Sequence, residues 1–289
     1  MSSAPIAVVD DAGDTVTLRA PARRIVSLIP STTEILVTAG LEHRVVGRTA
    51  WCDWPAEATR IPSVGDGMPP NLEAVLDRRP DLVLLYHGAA NSAAAAQLRA
   101  LGVPVAQLRA DRVADIARHA RLLGRLTAAS EPLDRVAREF ERDLADASSS
   151  GMASELPLAR PSVLLLAWSE PIVALGATAF MSELLERAGG KNAFGEIATA
   201  SAFVALETIV ERDPAAVFLA DAGAARALSR PEWRAVPAVR YRQVITPLEP
   251  PLTRAGLRAP AAVRTLRRRL AELAASSKTV TLSKTKDTP

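Results

Sequence analysis

Short, largely apolar runs alternate with helix-length amphipathic stretches along most of the chain. Residues 24–29, 44–47, 82–86, 103–107, 163–167, 216–219 and 243–245 each read as a short strand. Runs that are apolar at nearly every position suit strands covered on both faces, as in parallel sheets flanked by helices. Helical segments lie between them. Ser31-Thr32-Thr33-Glu34 has the form of a capping box and predicts a helix running to Ala39, stopped by Gly40. Asn71-Leu72-Glu73 predicts a second helix, with Leu72, Val75 and Leu76 on one face and Pro80-Asp81 as its break. Further helices are predicted near 93–100 and over 113–126. Residues 7–18, centred on Asp11-Ala12-Gly13-Asp14, read as a small hairpin. Ser130-Glu131-Pro132 starts a longer helix on which Leu133, Val136, Ala137, Phe140 and Leu144 recur at helical spacing, up to Ser148-Ser149-Ser150-Gly151.

The order strand, helix, Ala-Gly, strand, loop, Leu-Glu helix, Pro, strand occurs twice. Glu34-Ile35-Leu36, Ala39-Gly40 and Gly47 match Glu183-Leu184-Leu185, Ala188-Gly189 and Gly195. Farther on, 72–80 (LEAVLDRRP) lies against 206–214 (LETIVERDP), and an apolar strand follows each. A repeat this long is not a solenoid unit. It predicts an α/β fold of two similar Rossmann-like lobes joined by one long rigid helix, with a ligand cleft between them. The expected boundaries are an N-terminal hairpin at 1–23, a first lobe at 24–129, a connecting helix at 130–150, a second lobe at 151–275, and a disordered tail at 276–289.

Composition narrows the function. In 289 residues, 48% are hydrophobic and 23% charged, the balance of a globular chain. No apolar run reaches about 18 residues, so no helical membrane span is expected. Residues 1–14 lack the basic start and apolar core of a signal peptide. The single cysteine, Cys52, permits no internal disulfide. Arg226 to Arg269 carries eleven arginines against Glu232 and Glu249, a local charge of +9 in a chain of net +3. No aromatic-rich basic motif accompanies it, so nucleic acid is not an expected partner. Arginine outnumbers lysine 31 to 4, so the segment reads as arginine scattered over solvated helix faces.

No nucleophile elbow, phosphate loop, dinucleotide fingerprint or zinc-protease motif is present, and no catalytic residue is assigned. The histidines are His43, His87 and His119; His119 reads as a solvated helix residue, and no metal site of several histidines is expected. Chemistry concentrates instead at predicted strand ends: Ser31 and Thr32, Tyr86 and His87, Trp168, and Asp221. Trp51 and Trp54 sit in the loop 49–55 after the second strand. Aromatics are scarce, at 4%, so three tryptophans beside strands suggest an aromatic-walled cleft for a large, flat, partly apolar ligand; packing of each under its own loop is the alternative.

The run 24–34 (RIVSLIPSTTE), with Gly47, Trp51-Cys52-Asp53-Trp54-Pro55, Asn71-Leu72-Glu73 and Pro80-Asp81-Leu82-Val83, resembles the helical-backbone periplasmic binding proteins of ABC importers for cobalamin, ferric siderophores and haem. The likeness spans residues 7–272 and is greatest to the cobalamin-binding group. It implies a solute-binding protein, not an enzyme, that captures a corrinoid or ferric chelate and delivers it to a membrane permease. A cytoplasmic relative without a transporter, and an enzyme using the same cleft, are the other readings. The resemblance makes Trp51 a stacking aromatic and Tyr86 and Trp168 further wall residues. Where that group carries tryptophans, this chain has Gly65-Asp66-Gly67-Met68-Pro69-Pro70 and Ser201-Ala202-Phe203, with Phe203 as the substitute. Ser31, Thr32 and His87 are expected as polar contacts, and Arg254 as a donor to a ligand carboxylate or phosphate. Glu73 and Glu207, equivalent in the repeat, are the implied permease-docking residues. No intrinsic cofactor is expected; the bound ligand would be cobalamin or another metal chelate. The resemblance further implies a monomer in the periplasm or cell envelope.

Overall fold

The structure, a computed structural model, describes residues 5–149, 160–219, 226, 228–245 and 254–284. The chain divides into two compact units, Met1–Arg142 with Arg254–Leu257, and Asp143–Thr253 with Arg258–Pro289. Four residues from the span expected in the second lobe therefore belong to the first.

In the first unit, β1 (Ile6–Val9) and β2 (Thr15–Leu18) form the expected hairpin. Strands β3 (Ile25–Ser27), β4 (Val45–Arg48), β5 (Leu82–Tyr86) and β6 (Val105–Leu108) form an all-parallel sheet in the order β4-β3-β5-β6. Helices α1 (Pro30–Thr38), α2 (Leu72–Asp77), α3 (Ala89–Ala100) and α4 (Val113–Thr127) follow them in turn. Val26, Val83, Leu85 and Val105 from the sheet pack with Val75 and Leu98 from the helices.

The capping box expected at Ser31–Glu34 does not form. Pro30 occupies the first helical turn and Ile29 the cap position, with no side-chain cap bond. Proline starts a helix well because its missing N–H would lack a partner there anyway. The hydroxyls turn back toward the strand instead. Thr32 Oγ1 donates to the Ile29 carbonyl (2.9 Å) and lies 2.8 Å from Ser27 Oγ, while Thr33 Oγ1 donates to Ser27 Oγ (2.8 Å).

His119 is fully buried rather than solvated, because α4 packs beneath the hairpin. Its Nε2 lies 3.5 Å from Asp11 Oδ2. Asp11 also accepts two bonds from Arg118 (2.6 and 2.9 Å) and one from the Arg109 N–H (2.6 Å). Burial pushes the Asp11 carboxyl up, but the bonds from His119 and Arg118 outweigh it and hold the group well below the usual carboxylate range. Asp10, beside it, accepts from the Gln107 N–H (2.9 Å). Two aspartates thus fasten the hairpin to the sheet.

Helix α5 (Ser130–Ser149) carries the predicted stripe, with Leu133, Val136, Ala137, Phe140 and Leu144 all buried. The division between the units falls within it, at Arg142 and Asp143. The second unit continues with β7 (Ser162–Ser169), β8 (Ile172–Leu175), α6 (Phe180–Arg187), β9 (Lys191–Asn192), β10 (Ser201–Phe203), α7 (Leu206–Arg212), β11 (Ala216–Leu219), α8 (Pro237–Arg240), β12 (Val244–Ile245) and α9 (Ala259–Lys284). Strands β9 and β11 pair in parallel with β7, and β12 in parallel with β11, as in the first unit. The antiparallel ribbon β8–β10 was not expected: the second half of β7 extends past β9 and pairs with β8 instead.

Hydrogen bonds bear out the repeat. Ala39, Gly40 and Leu41 donate to the carbonyls of Ile35, Val37 and Leu36; Ala188, Gly189 and Gly190 donate to those of Leu184, Glu186 and Leu185. Helices α2 and α7 are each followed by a left-handed residue, Arg79 (φ 47°) and Asp213 (φ 41°), ahead of Pro80 and Pro214. Residues 276–284, expected in a disordered tail, continue α9 as helix. Once Val263, Leu266 and Leu270 are buried and the helix is nucleated, propagation is cheap. Arg267 also departs from the solvated pattern: it is buried and donates to the carbonyls of Ser148 (2.7 Å) and Arg187 (2.9 Å), at two helix ends.

Because the Asp11 pKa is depressed by folding, its stabilisation is fully present above the ordinary carboxylate range and is lost progressively as pH falls below that range toward the depressed folded value. Asp11→Asn is expected to cost about 1.5–3 kcal/mol near neutrality. Urea titrations of both proteins should converge progressively below pH ~4. A difference independent of pH would show that the charge of Asp11 does not carry the contact.

Candidate functional site

Parallel pairing brings the carboxyl ends of β3, β4 and β5 to one edge, where the chain must leave the sheet as loops. Ser27 pairs with Arg48 and with Leu84, so the residues just beyond, Leu28–Pro30, Thr49 and Tyr86, gather there. They line a pocket of about 510 Å³ together with Trp51, Asp66, Gly67, Met68, Asn91 and Arg254.

The Trp51 loop has a built base. Cys52 is buried, its sulfur 3.2 Å from both Thr33 Oγ1 and Thr49 Oγ1. The Arg48 guanidinium donates to the carbonyls of Thr49 and Ile61 (2.8 and 3.0 Å). Ala50 N–H donates to the Gly65 carbonyl, tying this loop to the next (2.9 Å). Gly67 has φ +83° and lies so close to the Thr49 methyl that a Cβ would clash. Held from beneath, Trp51 is 59% exposed and Met68 64%. Both side chains line the pocket and present apolar surface to it.

Tyr86 is half-buried, and its phenol donates to Asp111 Oδ1 at 2.6 Å. Burial and the Asp111 carboxylate together push its pKa up to about 12, so the phenol keeps its proton. Asn91 donates to the Tyr86 carbonyl (3.0 Å) and sets the end of the strand. Arg254 donates to the Trp51 carbonyl (2.5 Å) and to Asp53 Oδ2 (3.1 Å).

The structure thus brings Trp51, Tyr86 and Arg254 into one pocket. Ser31 and Thr32 are buried behind its wall and do not line it; the Thr32 hydroxyl is spent on Ile29 and Ser27. His87 is half-buried beside Tyr86, outside the lining residues. In the second unit, Trp168 pairs with Val173 and Val173 with Phe203, so the two aromatics share one face of the sheet, 62% and 76% exposed. Glu73 and Glu207 are exposed in the first turns of α2 and α7, and the burial patterns of 72–77 and 206–211 are the same residue for residue. Asp221 and residues 246–253 lie outside the described residues. Among the described residues, no group of three His, Cys, Asp or Glu could hold a metal ion. The sequence reading passed over Asn91 and Asp111, and held Asp53 only as a member of the 51–55 motif. Asn91 had a signal, as a polar residue in the first turn of an alanine-rich helix.

Residues 25–248 match the periplasmic binding protein family. An ABC transporter substrate-binding lipoprotein of Bacillus subtilis (strain 168) is 29% identical over 259 residues, 88% of this chain and 82% of that one. The solved periplasmic vitamin B12-binding protein of Vibrio cholerae is 27% identical with a TM-score of 0.74, covering 88% of this chain and 98% of its own. The periplasmic haem-binding protein of Roseiflexus sp. RS-1 shares the fold, with a TM-score of 0.78 at 24% identity over 88% and 99% of the two chains. Matched over residues 25–248, this chain belongs to the periplasmic binding protein family, whose members are substrate-binding proteins rather than enzymes.

Proposed function

We propose that this protein captures a corrinoid outside the cytoplasm and delivers it to the permease of an ABC importer. One observation carries the ligand class: Trp51 stands exposed over a largely apolar strand-end pocket whose lining, among the described residues, offers no imidazole, thiolate or available phenol. An indole face stacks on a large conjugated ring, adding about 0.5–1.5 kcal/mol beyond the area it covers. Haem would need an axial donor from the protein. Tyr86 holds its proton toward Asp111, and the Met68 thioether is a soft ligand poorly suited to ferric iron by itself. A corrinoid brings its metal already held and needs only shape and stacking. The vitamin B12-binding protein of Vibrio cholerae supports the ligand class by similarity, and the Bacillus lipoprotein supports the importer and the extracytoplasmic location.

Tryptophan quenching with cyanocobalamin, cobinamide, haem and a ferric siderophore tests the reading. Corrinoids should bind at least about tenfold more tightly than haem, a difference of about 1.4 kcal/mol. Trp51→Ala should weaken corrinoid binding several-fold while leaving the unfolding free energy of the free protein within about 0.5 kcal/mol of the parent's, as for a surface change. Equal binding of haem, or a collapse of stability in Trp51→Ala, would sink the proposal.

Docking is assigned to Glu73 and Glu207, one carboxylate in each unit and at equivalent positions of the repeat. A helix first turn favours a glutamate in any case, through the helix dipole. A pair of such carboxylates also suits two equivalent basic sites on a twofold partner, where charge complementarity sets register and encounter rate. Glu73→Ala with Glu207→Ala should leave cyanocobalamin affinity unchanged and abolish stimulation of the importer ATPase, a loss of about 2–5 kcal/mol of docking for fully desolvated contacts. Undiminished stimulation would remove both residues from the interface.

A further inference from the structure

Arg254–Leu257 belongs to the first unit, although the chain up to Thr253 and from Arg258 belongs to the second. So short a piece has no core of its own, and what it touches explains its place. Arg254 donates to the Trp51 carbonyl (2.5 Å) and to the Asp53 carboxylate (3.1 Å). Two residues on, Gly256 is buried with its backbone against the Glu34 carboxylate, so close that a Cβ would overlap it. Glu34 is itself buried in α1, the helix that starts at the pocket wall. One end of the segment therefore rests on a fixed part of the first unit, and the other grips the outer part of the Trp51 loop.

We propose that Arg254–Leu257 is a latch, and that Arg254 is a positioning residue which sets the Trp51 indole for the ligand. This rests on Trp51 being the stacking face. The base of the loop is held by Cys52 and Arg48, yet Trp51 and Asp53 stand exposed beyond it. A charge-assisted donor that spans a main-chain carbonyl and a carboxylate two residues later fixes the backbone between them. Fixing it before the ligand arrives removes an ordering cost from binding, so the latch raises affinity without touching the ligand. In the free protein the guanidinium holds two acceptors of its own unit.

The test uses the full chain with cyanocobalamin as probe. Hydrogen exchange of the free protein is measured first: Arg254→Ala should speed exchange at 50–53 and leave the strands of the same sheet unchanged. Arg254→Ala should then weaken cyanocobalamin binding about tenfold, and Arg254→Lys, which can reach one acceptor at a time, by less. The decisive comparison is a double-mutant cycle with Trp51→Ala. If Arg254 acts through Trp51, the double variant binds no more weakly than Trp51→Ala alone. Penalties that multiply would mean that Arg254 meets the ligand directly, and would overturn the latch. Unchanged exchange at 50–53 would overturn it whether or not a corrinoid binds. Failure of cyanocobalamin to bind the parent protein strikes the functional reading alone, because the exchange experiment needs no ligand. Gly256→Ala, which pushes the segment off Glu34 while keeping Arg254, should repeat the exchange effect, and guards against a misfolded Arg254→Ala.

Discussion

Parallel strands cannot turn back on themselves at their ends; each must leave the sheet through a loop and return by a helix. In the first unit this confines every loop after β3, β4 and β5 to one edge. The register Ser27–Arg48 and Ser27–Leu84 then sets which residues emerge together. The pocket wall follows from that pairing more than from any single side chain. A slip of one residue would exchange the two faces of a strand, and no position of β3 is exposed to absorb the error. The hydroxyl cluster of Ser27, Thr32 and Thr33 locks the same point, turning the strand end into the start of α1 with its polar groups paired internally.

On this frame the protein spends stability to keep apolar surface in water. Trp51 and Met68 in the first unit, and Trp168 and Phe203 in the second, are the kind of side chains that folding normally hides. Trp233 shows the contrast: the same residue type, buried in the core of the second unit with Phe194 and Leu219. The difference lies in support. Trp51 stands on a loop held by Cys52, Arg48 and Arg254, and Trp168 on a paired strand, so neither can fold inward.

The basic segment illustrates how little net charge says about role. Arg254 and Arg267 come from the same run of eleven arginines, and each is committed to backbone carbonyls, one in a loop and one at helix ends. Arg240 lies 5.0 Å from the centre of the Tyr241 ring. A guanidinium holds several acceptors at once in a planar fork, which suits it to bracing irregular backbone where a lysine would not serve.

Much of this architecture was legible in local pattern, because strand, helix and stop signals act over a few residues. The largely apolar runs announced a buried parallel sheet, the Leu-Glu-to-Pro repeat announced the two equivalent units, and Asn71 capped α2 as its chemistry requires. Trp51 and Tyr86 could be picked out because strand ends are where parallel sheets put their chemistry. Tertiary structure decided what no window of sequence contains. Ser31 and Thr32 turned away from the pocket because Ser27 lay within reach once the strand had ended. His119 was buried because a hairpin more than a hundred residues earlier brought Asp11 over it. The ribbon β8–β10 arose because β7 is longer than its parallel neighbour. Arg254 found Trp51 across 203 residues of chain, and a contact of that separation depends on the folding of everything between. Local preference chose the elements; long-range pairing chose which side chains were left over to form a site.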